Sequence, residues 1–137
     1  MRVVLDTNVL VSSLLTNDGA AAGVFDQCIL SHDLLVSQAT FAELIDVLTR
    51  PKFIDRLDKQ SRINLINYYR NHAIIISIST SIADCRDKKD NKFLELAIDG
   101  KADLIVSGDE DLLVLHPWRN IRILSPNASS QVLMEAA

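Results

Sequence analysis

The chain has 137 residues, 48% of them hydrophobic and 23% charged, which is the ordinary globular range and enough for one compact domain with a real core. No apolar run approaches the roughly 20 residues that cross a bilayer. Asp6 arrives before a signal-peptide core develops, so a soluble, cytoplasmic protein without membrane contact is expected. The formal charge of −4 argues against a nucleic-acid partner only if the acids are spread evenly. With four of the 18 acids set aside as a candidate site, the other 14 match the 14 Lys and Arg. Bases also cluster, at Arg50, Lys52, Arg56, Lys59 and Arg62 and again at Arg86, Lys88, Lys89 and Lys92, either as solvated faces or as phosphate contacts. Cys28 and Cys85 are far apart and show no paired metal-ligand spacing, which points to buried thiols rather than a disulfide or a zinc site.

Residues 3–5 (Val-Val-Leu) read as a strand buried on both faces, and the run breaks at Asp6. Residues 9–15 are too apolar for a surface loop, and Asn17-Asp18-Gly19 marks a break after them. Ala21, Val24, Phe25, Cys28 and Ile29 recur at helical spacing. A second strand, residues 34–36, leads to a helix with Phe41, Leu44, Ile45 and Leu48 inward, stopping before Pro51. Residues 52–71 read as helical, with Ser61 as N-cap and Ile63, Ile66 and Tyr69 on one side. Residues 73–78 carry the strongest strand signal, apolar and β-branched on both faces. A polar connection then reaches a helix starting near Asp90, with Leu94, Ala97 and Ile98 inward and Gly100 as its stop. A strand at Leu104 is followed by one or two helical turns from Asp109 to Leu115, a loop at Pro117-Trp118 and a last strand at residues 121–124. The final residues, from Pro126, add a small helix or fray. Strands alternating with helices call for parallel pairing.

Four acids stand out by position. Asp6 and Asp109 lie beyond strand ends, where open α/β sheets collect ligands, Glu43 sits in the helix after the second strand, and Asp90 opens a later helix. Asp90 is four and seven residues before Leu94 and Ala97 and shares their inward stripe. Clustered carboxylates repel one another, and a hard cation with oxygen ligands, Mg²⁺ or Mn²⁺, holds such a group ionised. Asp111 is a further ligand candidate, with Asn8 and Ser107 as supporting groups that hold metal-bound water or orient a carboxylate. Duller duties compete: Asp90 and Asp109 suit helix N-termini, and Thr40 with Glu43 has the spacing of a capping box. His32, His72 and His116 fall at element ends or in loops and are expected to be structural.

The opening Val-Val-Leu-Asp6-Thr-Asn8, the central Thr-Phe-Ala-Glu43-Leu, the stretch Asp90-Asn-Lys-Phe-Leu-Glu-Leu-Ala97 and Val-Ser107-Gly-Asp109-Glu-Asp111-Leu-Leu resemble, in order and spacing, the acidic motifs of PIN-domain nucleases. Arg50-Pro51-Lys52-Phe53 is similar to the subgroup described as toxin components of toxin–antitoxin pairs. The resemblance implies a three-layer α/β/α sandwich around a five-stranded parallel sheet, formed by residues 1–137 as one domain, and metal-dependent cleavage of RNA. It carries Asp6, Glu43, Asp90 and Asp109 over as the acidic site, and it implies an antitoxin protein as partner. A homodimer is expected from residues 9–15 and 132–134, which offer apolar surface if they are not core. Two other classes stay open. Haloacid-dehalogenase-like phosphohydrolases also place an Asp after the first strand but need a second acid where this chain has Asn8. A non-catalytic domain binding RNA or protein is the third reading.

Overall fold

The structure is a computed structural model describing residues 1–15 and 19–136; Asn17 and Asp18, part of the expected break, lie outside them. Five parallel strands, β1 (Arg2–Leu5), β2 (Asp33–Val36), β3 (Ile74–Ile75), β4 (Leu104–Val106) and β5 (Arg122–Leu124), form one sheet in the spatial order β3-β2-β1-β4-β5. The helices are α1 (Thr7–Leu15), α2 (Ala20–Ser31), α3 (Gln38–Leu48), α4 (Pro51–Ile54), α5 (Lys59–His72), α6 (Asn91–Asp99), α7 (Glu110–Leu113) and α8 (Pro126–Ala136). No described helix is long and apolar enough to cross a membrane.

Alternation along the strands builds the layers. Val3, Leu5, Leu34, Val36, Leu104 and Val106 turn to one face, where α1, α2, α3, α5 and α8 cover them. Val4, Leu35, Ile105 and Ile123 turn to the other, against Phe93, Leu94, Leu96 and Ala97 of α6 and Leu112 of α7. Both faces of the central strands are therefore covered, which is why they read as unbroken apolar runs. This is the three-layer α/β/α sandwich with a five-stranded parallel sheet that the resemblance implies. From β1 the chain steps to β2 on one side and later places β4 on the other, so strand order reverses between β1 and β4. Ligand crevices of open α/β sheets form at the carboxyl ends of the strands at such a point.

Several local expectations need correction. Only Ile74 and Ile75 of residues 73–78 pair, as an edge strand, and Ile75 is 71% exposed. The Ile76 N–H donates to the Val36 carbonyl at 2.8 Å, and beyond it side chains of α6 replace the ladder. Asp99 accepts from the N–H groups of Ser79 (2.7 Å) and Thr80 (3.0 Å), and Glu95 from that of Ile82 (3.0 Å). An apolar β-branched run does not encode whether a neighbour exists on both sides.

Residues 52–71 form parts of two helices rather than one, and the N-cap of α5 is Asp58, which accepts from the Ser61 N–H at 2.7 Å. Leu65 and Tyr69 face the core, Ile66 packs against it in part, and Ile63 is exposed. In α3, Val47 takes the inward place expected for Ile45. The apolar residues 9–11 are core, Leu14 and Leu15 pack against it, and Leu133 is fully buried, so of the segments expected to offer surface only Met134 stands well out, at 60% exposure.

Gly100 ends α6 because the sheet leaves no room for a side chain. A Cβ there would lie 2.7 Å from Leu35 Cδ1 and 2.8 Å from the Leu96 carbonyl oxygen. Gly100→Ala is expected to destabilise the fold by about 1–3 kcal/mol, read as a lower urea midpoint at constant slope. An unchanged midpoint would mean that α6 shifts freely on β2.

Candidate active site

Asp6 leaves the end of β1 with its backbone N–H on the Val106 carbonyl at 3.1 Å, which fixes it beside β4. Its side chain is almost wholly buried: Oδ1 accepts from the Val9 N–H at 2.9 Å in the first turn of α1, and Oδ2 accepts a short hydrogen bond from the Ser107 hydroxyl. Ser107 follows β4 directly and is itself fully buried. Its Oγ also accepts from the Asp109 N–H at 2.9 Å, so one hydroxyl ties both strand ends together. Asp109 is the N-cap of α7, with Oδ1 accepting from the Asp111 N–H at 2.9 Å.

Glu43 is free of the capping duty its spacing allows. The box at the start of α3 is made by Ser37 and Thr40: the Ser37 Oγ accepts from the Thr40 N–H at 3.2 Å, and the Thr40 hydroxyl accepts from the Ser37 N–H at 3.0 Å. Glu43 instead turns toward β1, where Oε2 accepts from the Thr7 hydroxyl and Oε1 from the Lys92 ammonium at 2.7 Å. Asp90 closes a short 3₁₀ turn (Lys88–Asp90) and occupies the N-cap position of α6, yet its side chain caps nothing. Its Oδ2 is buried and meets no donor.

Asp6, Glu43, Asp90 and Asp109 line one cleft of about 160 Å³ at the switch point, with Asn8 exposed at its lip and Arg50 and Lys89 beside it. The sequence reading missed a fifth acid, Asp87, which lines the same cleft and caps the 3₁₀ turn by accepting from the Lys89 N–H at 3.1 Å. Asp87, Asp90 and Asp109 each bring a carboxylate oxygen within 4.8 Å of the other two. The one local signal for Asp87 is its place three residues before Asp90. Asp111 stands outside this group and pairs with Arg86 at 3.3 Å.

Charge is under strain here. Burial, and next the neighbouring side chain and charge of Asp109, push the Asp90 carboxyl up to about 7, with Asp87 and Asp6 adding to the rise. Burial also raises Asp6, against the Ser107 and Val9 hydrogen bonds that lower it, and the charges of Asp109 and Glu43 raise it further. An all-oxygen donor set with one buried oxygen lacking a donor fits a hard divalent cation, which would be held by Asp87, Asp90 and Asp109 with Asp6 at the cleft floor. None of the three histidines lines the cleft. His32 meets the Leu133 carbonyl at 3.0 Å, His72 the Tyr68 carbonyl at 2.9 Å, and His116 Nδ1 accepts from the Ile123 N–H at 2.9 Å. Cys28 and Cys85 are buried free thiols.

Residues 2–111 match the family model for the PIN domain. An uncharacterized protein of Methanocaldococcus jannaschii, MJ1680, is 30% identical over 119 residues, 84% of this chain and 75% of its own length. Two crystal structures share the fold. VapBC2 from Rickettsia felis, bound to a DNA fragment from their promoter, superposes with a TM-score of 0.62 at 15% identity, covering 91% of this chain and 98% of the other. PAE2754 from Pyrobaculum aerophilum gives 0.68 at 14% identity, with 98% and 90% covered.

Proposed function

The chain belongs to the PIN-domain family, and we propose that it is a Mg²⁺- or Mn²⁺-dependent ribonuclease, the toxin of a toxin–antitoxin pair, acting in the cytoplasm with residues 1–137 as a single nuclease domain. The observation that carries this reading is the convergence of Asp6, Glu43, Asp87, Asp90 and Asp109, from separate stretches of chain, on one cleft at the sheet's switch point. A bound divalent ion supplies a Lewis acid for a phosphate oxygen and an activated water. Asp87, Asp90 and Asp109 would hold the ion, and Asp6 sits as a buried carboxylate beside them, oriented by Ser107 and Val9. Thr7 and Lys92 hold the Glu43 carboxylate at the wall, and Asn8 offers an amide at the lip. Because water is the nucleophile, the acids themselves make no use of a ribose 2′-OH. RNA as substrate rests on the family likeness, and the homodimer on the apolar segments 9–15 and 132–134, of which only Met134 stands well out of the core. An antitoxin partner draws support from the likeness to VapBC2.

The phosphohydrolase alternative needs Asp6 as a nucleophile, but both its oxygens accept hydrogen bonds and it is 4% exposed. It also needs an acid where Asn8 stands. Incubating the protein with Mg²⁺ and either a generic RNA or a small phosphate ester separates the readings. RNA cleavage without ester hydrolysis is expected. Ester hydrolysis alone would make the protein a phosphohydrolase, and neither activity would leave a binding domain with a structural metal.

A further inference from the structure

A second groove, of about 570 Å³, opens beside the acidic cleft, and Arg86, Lys88, Lys89 and Lys92 line it together with one acid, Glu95, whose carboxylate accepts from the Ile82 N–H. Lys89 lines both cavities, so the two are neighbours. Two of the four cations are engaged with acids of the site and its rim: Lys92 with Glu43 at 2.7 Å and Arg86 with Asp111 at 3.3 Å. Lys88 and Lys89 are exposed and join no ion pair among the described residues. Arg50 also lines the acidic cleft and pairs with Asp46 at 3.0 Å.

Residues 86–92 also hold Asp87 and Asp90, and Arg86 and Lys92 are already paired, so the groove presents two cations, Lys88 and Lys89, outside any ion pair among the described residues. A polyanion laid along the groove supplies their counter-charge. The acidic cleft, at about 160 Å³, is well below the roughly 300–1,000 Å³ of pockets that enclose a small-molecule ligand. It has room for one phosphodiester group and not for the nucleotides on either side, which must lie beyond its lips.

We propose that the groove formed by residues 82–92 is the bed for the RNA strand next to the scissile phosphate, with Lys88 and Lys89 contacting its phosphates. This rests on the ribonuclease reading and adds the residues that hold the strand. The groove favours a nucleic acid over an acidic peptide because it borders, through Lys89, the cleft where the ribonuclease reading places the scissile phosphodiester.

The test is fluorescence anisotropy with a labelled oligoribonucleotide in chelator, where binding is read without cleavage, across a range of salt. Lys88→Gln/Lys89→Gln is expected to weaken binding roughly tenfold and to flatten the slope of log affinity against log salt by about 1.4, near 0.7 for each phosphate of a single strand that is no longer neutralised. The control Lys101→Gln/Arg122→Gln removes the same charge from exposed positions that line neither cavity and should bind as the parent does. Equal weakening in both double variants, or none in the groove variant, would overturn the proposal, as would displacement of the RNA by polyglutamate at equal charge concentration. Mg²⁺-dependent cleavage by the parent, scored separately, decides the ribonuclease reading, so the two can fail independently.

Discussion

Metal-free protein is expected to lose stability as pH rises from about 4 to about 7, and Mn²⁺ is expected to restore it. The Asp90 carboxyl ordinarily titrates at 3.8 and does so at about 7 in the folded chain, so between those values the folded state keeps a proton that the unfolded chain has released. Its stabilising contribution is complete below the unfolded value and is lost as pH rises through the folded one. Asp6, also raised, acts with the same sign. A cation that binds only the folded cluster competes with those protons, so its effect should be small at about pH 5 and large at about pH 8. At a concentration 100 times its Kd it adds about 2.7 kcal/mol, a rise in Tm on the order of 10 °C for a chain this size. Thermal melts in chelator and in Mn²⁺ at both pH values check this. Identical curves at about pH 8 would mean that the carboxylates hold no ion.

Substitution of the clustered acids should separate activity from stability. Asp90→Asn keeps the shape, removes one charge and replaces an oxygen that meets no donor with a group able to donate to a neighbouring carboxylate. Without metal at neutral pH it should melt at or above the parent's Tm. With Mg²⁺ its RNA cleavage should fall by more than roughly 100-fold, since loss of groups that merely orient metal ligands already costs about 10–100-fold. Asp109→Asn and Asp87→Asn should lose activity alongside it. A variant that melts far below the parent would assign that acid to the fold instead.

What the sequence revealed depended on whether position alone identifies a residue. Asp6 and Asp109 were legible because a strand's apolar run ends just before each, and strand ends are where a parallel sheet exposes functional groups. Glu43 was legible only through its motif, since its spacing from Thr40 imitates a cap that Ser37 in fact supplies. Asp87 was hidden in a polar connection, because the 3₁₀ turn that brings it beside Asp90 leaves no periodic trace. The three-layer fold was visible in the runs at β1, β2 and β4, whose two covered faces demand apolar residues throughout. The early end of β3 was not, because the carboxylates of Asp99 and Glu95 take the backbone N–H groups of Ser79, Thr80 and Ile82 further along the run.

The most direct test of the carboxylate cleft as a catalytic centre is RNA cleavage with Mg²⁺ by the parent, Asp6→Asn and Asp26→Asn, side by side. Asp26 is exposed on α2 and lines no part of the cleft, so it carries the same loss of charge without touching the site. Folded Asp6→Asn should be inactive while Asp26→Asn cuts at the parental rate. Cleavage by Asp6→Asn at the parental rate would contradict the assignment of this cleft.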